Sequence, residues 1–206
     1  MKNTKNSIYR HLDYMNALVG LQKQGVGTVS SHNLAALCNV SASALRKDLM
    51  AFRSKGKQRI GYSVAELLNL LKKELYRDVV EKVVVVGVGS FGSALMKYNN
   101  FSLYNFQIVA GFDEDTTHRK GINLPIYKMD MLAETVKELD VTFAILTVPE
   151  IAAQPVARLL VESGIEKILN FTPAILKVAK PVKVNHVNLV YEMEYLLFGA
   201  LEPEQA

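Results

Sequence analysis

The chain of 206 residues has one cysteine, Cys38, so no disulfide can form within it and an internal thiol pair is excluded as a redox device. With Leu34, Ala35 and Leu37 around it, Cys38 reads as a small core residue. No stretch reaches the ~20 uncharged apolar residues of a membrane span. Met1-Lys2-Asn3-Thr4-Lys5 leads into no apolar signal region, which gives the expectation of a cytosolic protein with no membrane partner. The four histidines, His11, His32, His118 and His186, fall in no catalytic arrangement, and no His/Cys/carboxylate cluster has metal-ligand spacing. Internal repeats and low-complexity tracts are absent. Hydrophobic residues make up 50% of the chain, enough for a sizeable core in one domain or two small ones.

Charge is unevenly shared. Residues 1–79 hold 13 Lys/Arg against 5 Asp/Glu, a net of +8, and residues 80–206 hold 11 against 15, a net of −4, which together give the +4 of the whole. A basic half beside an acidic half points to a polyanion as the partner of the first.

In the basic half, Ile8, Leu12, Met15, Leu18, Val19 and Leu21 recur at near-helical spacing up to Gly25. Residues 26–29 read as a connector. Ser30 or Ser31 caps a second helix with Leu34, Ala35, Leu37 and Cys38, and Asn39-Val40 makes a turn. Ser41 caps a third helix with Leu45, Leu49 and Phe52 on one face. Two short helices joined by a tight turn after a longer one read as a helix-turn-helix. The other face of the third helix offers Ser43, Arg46, Lys47 and Met50, where a recognition helix reaches base edges and phosphates. Arg53, Lys55, Lys57 and Arg59, with Gly56 and Gly61, then make a short cationic hairpin, the wing of a winged helix suited to a minor groove. Ser63-Val64-Ala65-Glu66 is a capping box that opens a closing helix with Val64, Leu67, Leu68, Leu71 and Leu75 on one side.

The acidic half is organised around Val83-Val84-Val85-Val86-Gly87-Val88-Gly89-Ser90-Phe91-Gly92. A β-branched run ends in Gly-x-Gly-x-x-Gly, and a helical pattern follows through Phe91, Ala94, Leu95 and Tyr98. Strand, glycine turn and helix N-terminus in succession let a backbone approach a pyrophosphate and hold it on free N–H groups. A second strand over residues 107–112 ends in Asp113, 21 positions after Gly92, near the ~20-residue spacing at which an acid meets the adenosine ribose. There Asp113 repels a 2′-phosphate and favours NAD over NADP, while Arg119 and Lys120 leave the second open. Residues 99–105 read as a polar, aromatic loop, residues 124–127 as a short strand and residues 131–139 as a helix. The strand at 141–146 ends in Thr147, Val148 and Pro149, at the carboxyl edge where open α/β sheets bind ligands. A helix over residues 152–163 follows, then strands at 165–169 and 182–187. Residues 188–200 form a last helix whose apolar stripe, Leu189, Val190, Met193, Leu196 and Leu197, needs a partner surface. A second subunit and the helix's own domain both qualify.

Together these residues resemble the Rex family of redox-sensing transcriptional repressors over nearly the whole chain. The likeness rests on Ser30-Ser31, Arg46-Lys47-Asp48-Leu49, Gly61-Tyr62, the three glycines, Phe112-Asp113, Leu146-Thr147-Val148-Pro149, Ala153-Gln154 and Ile168-Leu169-Asn170-Phe171-x-Pro173. It implies a winged-helix DNA-binding domain over 1–79 and a Rossmann NAD(H)-binding and dimerisation domain over 80–206, whose C-terminal helix is exchanged in a homodimer. The homodimer sits on palindromic double-stranded operator DNA, and NADH moves the subunits and releases it, while NAD⁺ favours or permits repression. The candidate cofactor set is Gly87, Gly89, Ser90, Phe91, Gly92, Tyr98, Asp113, Thr147, Val148 and Pro149, with the last three on the nicotinamide side. The candidate DNA set is Ser31, Ser43, Arg46, Lys47, Lys57 and Arg59.

The chain departs from the family in three places. The wing begins Phe52-Arg53 where relatives usually have Phe-Gly. Asn16 and Asn188 stand where relatives often have Arg and Asp, which join the Tyr matched by Tyr98 in linking cofactor state to DNA affinity. Two amides still hydrogen-bond but lose the charge-assisted part. Three readings follow. The first is a repressor sensing the NADH/NAD⁺ ratio, and the second an operator-binding regulator whose Rossmann half is a scaffold with weak or altered redox response. The third, an NAD-dependent dehydrogenase, lacks a recognisable acid/base and a separate substrate domain.

Overall fold

The computed structural model describes residues 5–54, 56–57, 60–76, 79–117 and 120–198. The chain divides into two compact units, Met1–Val79 and Val80–Ala206.

In the first unit, α1 (Lys5–Lys23) packs along α4 (Val64–Tyr76). Tyr14, Met15 and Leu18 of α1 meet a core that also holds Leu67 and Leu71 of α4. The shorter α2 (Ser31–Leu37) and α3 (Ala42–Ala51) each begin at a serine cap. Ser30 Oγ accepts the Asn33 N–H at 3.0 Å, and Ser41 Oγ accepts the Ala44 N–H at 3.1 Å. Such caps contribute about 1 kcal/mol each. Between the helices Asn39 takes a left-handed conformation, φ 49°, which Asn tolerates better than most residues. The segment 26–29, expected as a connector, instead contributes strand β1 (Thr28–Val29), antiparallel to β2 (Tyr62–Ser63). Two residues are too few to show a period, and their partner lies more than thirty positions away. Next to β2, Lys57 and Gly61 exchange N–H···O bonds of 2.8 and 2.9 Å, which closes a hairpin. Lys55, Gln58 and Arg59 lie outside the described residues. The expected capping box shows its forward half, with Ser63 Oγ accepting the Glu66 N–H at 3.3 Å.

Cys38 is not a core residue. It is the C-cap of α2 and half-buried, with its thiol 3.6 Å from the Asp13 carbonyl oxygen. Leu34 and Ala35 fill the buried face, while Leu37 faces out. Burial pushes the thiol pKa up to about 11, so it stays protonated at neutral pH.

His11 is in the core, 2% exposed, with its ring edge-on to Phe52 at 4.7 Å. Burial lowers its pKa below the ordinary value, with Asp48 opposing and Arg10 adding to the shift. A histidine depressed in the folded state contributes stability above about pH 6.5, and loses it as pH falls through the folded pKa, because the unfolded chain takes up the proton first. Thermal melts of the full chain from pH 7.5 down to 5.5 are expected to show a falling midpoint for the first unit. His11→Phe, which keeps a ring against Phe52, flattens that slope. Parallel slopes for both proteins would discard the assignment.

The second unit is a six-stranded parallel sheet in the order β5-β4-β3-β6-β7-β8. Its strands are β3 (Glu81–Val86), β4 (Phe106–Phe112), β5 (Ile126–Tyr127), β6 (Phe143–Leu146), β7 (Lys167–Asn170) and β8 (Lys183–His186). Numbered within the unit, this is 3-2-1-4-5-6, the Rossmann order, with its switch point between β4 and β6 at the end of β3. Val84 and Val86 face a cluster with Ala153, Ala157 and Leu160 of α7 (Glu150–Glu162). Val83 and Val85 face one with Met96 of α5 (Ser90–Lys97). Burial on both faces is why β3 reads as an unbroken apolar run rather than an alternation.

The expected face of α5 is out of phase. Phe91 and Tyr98 are exposed, and the buried positions are Gly92 and Met96. The helix approaches the sheet through a residue with no side chain, which carries no hydropathy signal. Residues 99–104, read as a loop, are a 3₁₀ helix (Asn99–Tyr104). A 3₁₀ turn (Met129–Met131) precedes α6 (Leu132–Glu138). Pro149 caps α7, which therefore starts two residues before the expected 152. The last helix, α8 (Leu189–Phe198), is exposed along its whole length, its apolar side chains between 59 and 78%. Residues 199 and 200 lie outside the described residues.

Candidate nucleotide turn and nucleic-acid face

At the switch point the glycine turn is held by four separate groups. Gly87 adopts φ 93°, a conformation glycine takes without penalty, and its N–H donates to the Phe112 carbonyl at 2.8 Å. The Thr147 hydroxyl donates to the Gly87 carbonyl at 2.6 Å, and the Thr147 N–H to the Val86 carbonyl at 2.8 Å. Asp113 Oδ2 accepts the Val88 N–H at 2.5 Å, and Oδ1 the Asp115 N–H at 3.0 Å. A β-carbon on Gly92 would overlap the Gly87 carbonyl oxygen and stand 2.9 Å from Thr147 Oγ1. Gly89 is the N-cap of α5 and supplies no side-chain cap. The first-turn N–H groups of Ser90, Phe91 and Gly92 therefore have no acceptor within the helix.

The structure thus brings Gly87, Gly89, Gly92, Asp113 and Thr147 together, with Val148 N only 2.7 Å from where a Gly87 β-carbon would stand. Asp113 uses one lone pair on each oxygen and keeps capacity for a diol, since a carboxylate offers about four acceptor positions. Phe91 is edge-on to Phe171 at 5.0 Å. With Thr172, Pro173, Asn188 and Val190 they line a recess of about 230 Å³. Tyr98 is not brought to the turn. It lies at the far end of α5 against Phe101, with ring centroids 5.0 Å apart. Eight residues of helix rise about 12 Å.

The sequence hides the base of this edge. Asn170 is fully buried. Its Oδ1 accepts the Thr172 N–H at 3.0 Å and hydroxyl at 2.8 Å. An N–H can only donate, so the amide orientation is fixed and Nδ2 donates to the Ala174 carbonyl at 2.9 Å and to His186 Nδ1 at 3.0 Å. Asn188 has a visible task as well. Its Oδ1 accepts the Val190 N–H at 3.0 Å and the Tyr191 N–H at 3.4 Å, which caps α8. Asn does this as well as Asp.

In the first unit, α3 presents Ser43, Arg46, Lys47 and Met50 outward and buries Leu45, Asp48 and Leu49. Arg46 Nη1 donates to Ser31 Oγ at 3.2 Å, and the Ser43 and Ser41 hydroxyls are 3.0 Å apart. Ser31 of α2 and the outer stripe of α3 thus form one polar surface. Lys57 is exposed on the hairpin. Arg59 lies outside the described residues, as do His118 and Arg119 of the loop after Asp113.

Asp48, adjacent to the outward Lys47, is 9% exposed. It accepts two bonds from Arg10, from Nε at 2.6 Å and Nη2 at 3.0 Å, and one from the Tyr14 hydroxyl at 2.9 Å. Burial pushes the Asp48 carboxyl up, and the bonds from Arg10 and Tyr14 outweigh it, leaving the group below the ordinary carboxylate value. Tyr14 is raised by burial and then by the bond to Asp48. The signal available in the sequence was an acid at the centre of the apolar stripe 45, 48, 49, 52.

Among the described residues no group of three His, Cys, Asp or Glu could hold a metal ion, and no helix is long and apolar enough to cross a membrane.

Residues 5–49 match the family model described as "Putative DNA-binding protein N-terminus", and residues 79–174 the one described as "CoA binding domain". The redox-sensing transcriptional repressor Rex of Oenococcus oeni is 38% identical over 192 residues, which cover 90% of this chain and 87% of that protein. Its counterpart in Lactobacillus gasseri is 37% identical over 187 residues, covering 90% and 87%. The crystal structure of RSP in complex with β-NAD⁺ and operator DNA superposes with a TM-score of 0.80 at 30% identity, covering all of both chains. RSP in complex with β-NADH gives 0.79 at 30% identity, covering 96% of this chain and 95% of that one.

Proposed function

The chain belongs to the Rex family of redox-sensing transcriptional repressors, and from that membership we propose that it represses transcription from a palindromic operator and releases the DNA when it binds NADH. The observation that carries this reading is one chain holding both an assembled glycine turn with Asp113 and an outward basic stripe on α3, at 38% identity over 90% of its length to a named repressor. The fit to a dinucleotide is that of a cradle. Gly92 leaves room that a β-carbon would fill, and the uncapped α5 N-terminus offers N–H groups to an anion,. When bound, the nicotinamide supplies the redox difference that the protein reads.

The turn around Gly87, Gly89, Ser90, Phe91 and Gly92 holds the pyrophosphate, and Asp113 the adenosine ribose. Thr147, Val148 and Pro149 line the nicotinamide side. Tyr98, remote from the turn of its own chain, acts through the subunit interface rather than on the pyrophosphate. Arg46 and Lys47 contact bases and phosphates, with Ser31, Ser43, Lys57 and Arg59 on the backbone. The dimer forms through the second unit and α8. We read the chain as a sensor and not a dehydrogenase, in keeping with relatives named as repressors.

A ligand weakens DNA binding only by its preference for the DNA-incompetent state. The test is affinity for an operator duplex selected by the protein from a random pool, at fixed salt because phosphate contacts are salt-dependent. It is measured alone and with saturating NADH or NAD⁺. NADH alone is expected to weaken binding by about tenfold or more, the middle of the usual coupling range. Tight binding that neither cofactor changes would instead favour the scaffold reading, with coupling lost at Asn16 and Asn188.

A further inference from the structure

We propose that Asp48, clamped by Arg10 and Tyr14, is a positioning residue for operator readout: it sets the roll of α3 about its own axis and so aims Arg46 and Lys47. The proposal rests on the operator-binding reading above.

Helix α3 has two complementary stripes. Leu45, Asp48 and Leu49 point inward, and Ser43, Arg46, Lys47 and Met50 outward. Leu45 and Leu49 are fully buried and hold the helix against the core, but apolar burial is non-directional. It resists withdrawal far better than it resists a small rotation. A hydrogen bond is directional and weakens steeply off axis. The Asp48 carboxylate meets three donors, two in the planar fork of Arg10 and one from Tyr14. Arg–carboxylate forks add geometric specificity as well as energy.

Both donors come from α1, whose Tyr14 is itself fully buried, so the clamp is anchored in the core rather than in solvent. One turn on, the His11 ring from α1 packs on Phe52, the C-cap of α3. The carboxylate and the ring contact fix α3 at two points along its buried stripe.

The lever is short. A roll of 20° displaces side chains at the rim of a helix about 10–12 Å across by roughly 2 Å. A bidentate contact to a base edge does not survive that shift, while a contact between a lysine and a phosphate does. Loss of the clamp therefore removes sequence discrimination before it removes non-specific affinity.

The experiment compares wild type with Asp48→Asn, Arg10→Lys and Tyr14→Phe in the full chain. Affinity is measured for the selected operator and for a scrambled duplex of equal length at one salt concentration. NADH affinity without DNA and the circular dichroism spectrum report on the fold. Asp48→Asn keeps the size of the side chain and Arg10→Lys keeps its charge, and neither keeps the fork. Both are expected to lose about tenfold or more for the operator. Their affinity for the scrambled duplex stays within about twofold. Tyr14→Phe, which keeps the buried ring, loses about threefold for the operator alone. A role in folding alone lowers the active fraction, so both duplexes lose in proportion; that outcome overturns the proposal, as does an unchanged operator-to-scrambled ratio in Asp48→Asn. A wild-type chain with no operator preference overturns the parent reading, and the proposal with it.

Discussion

Gly92→Ala is expected to lower NADH affinity about a hundredfold and to destabilise the second unit, while the first unit's unfolding stays where it is. The added methyl would overlap the Gly87 carbonyl oxygen and stand 2.9 Å from Thr147 Oγ1. Neither neighbour can step aside. Gly87 is held at φ 93° with its N–H on Phe112, and its carbonyl accepts the Thr147 hydroxyl at 2.6 Å. The α5 N-terminus must lift instead, at the ~1–3 kcal/mol typical of an overpacked core. A displacement of about an ångström would take the first-turn N–H groups off the pyrophosphate position proposed above, and about 2.7 kcal/mol of lost contact is the hundredfold.

Gly89→Ala supplies the contrast. A β-carbon at Gly89 meets nothing within 4 Å, and its φ of −69° suits any residue. The melting temperature of Gly89→Ala is expected to match wild type. Its NADH affinity falls only to the extent that the methyl stands where the pyrophosphate approaches. Fluorescence titration with NADH and a thermal melt of each variant separate the two. A Gly92→Ala protein with wild-type melting and wild-type NADH affinity would show that the turn does not depend on the close approach of Gly92 to Gly87.

What could be read from the chain alone was whatever one segment carries by itself. The valine run of β3, the glycine turn that ends it, the strand that leads to Asp113 and the outward stripe of α3 are local patterns, each contained in one short segment. What was missed depends on partners distant in sequence. β1 is two residues long and exists only because residues 62 and 63 pair with it. The face of α5 falls out of phase because its tight approach to the turn is made by Gly92, which has no side chain, while Phe91 and Tyr98 are exposed and find ring partners in Phe171 and Phe101. Cys38 has apolar neighbours in sequence but ends its helix at a rim.

The same holds at the sites. Thr147 was legible as a residue at the carboxyl edge. That its hydroxyl pins the Gly87 carbonyl is visible only once β3 and β6 lie side by side in register. Asn188 reads as a neutral residue at the start of a helix, and only the structure shows its oxygen capping α8, as an aspartate there would. The Asp48 clamp joins residues 34 and 38 positions apart, and only the anomaly of an acid on an apolar stripe hinted at it.

Leu196→Glu combined with Leu197→Glu is expected to convert a dimer into a monomer and to reduce operator affinity more than a hundredfold. In α8 (Leu189–Phe198) the sequence LVYEMEYLLF has eight apolar or aromatic residues and two glutamates. A helix apolar on nearly all sides belongs in a core, yet Leu196 and Leu197 are 72 and 74% exposed on their own chain. Burial by a second copy resolves that conflict, and glutamate, a good helix former, removes it without breaking the helix. Four added negative charges per dimer at one apolar seam cannot be desolvated together. A palindromic operator is bound by two recognition helices at once, about one helical turn of DNA apart. The second contact is intramolecular only while the dimer holds, and its loss removes an advantage of roughly 10²–10⁴. Light scattering gives the mass, and operator titration the affinity. The glycine turn, Asp113 and Thr147 belong to one chain, so the NADH affinity of the monomer is expected to stay within severalfold of wild type. A double variant that remains dimeric and holds its operator would place the subunit contact elsewhere on the second unit, and α8 would then need another partner.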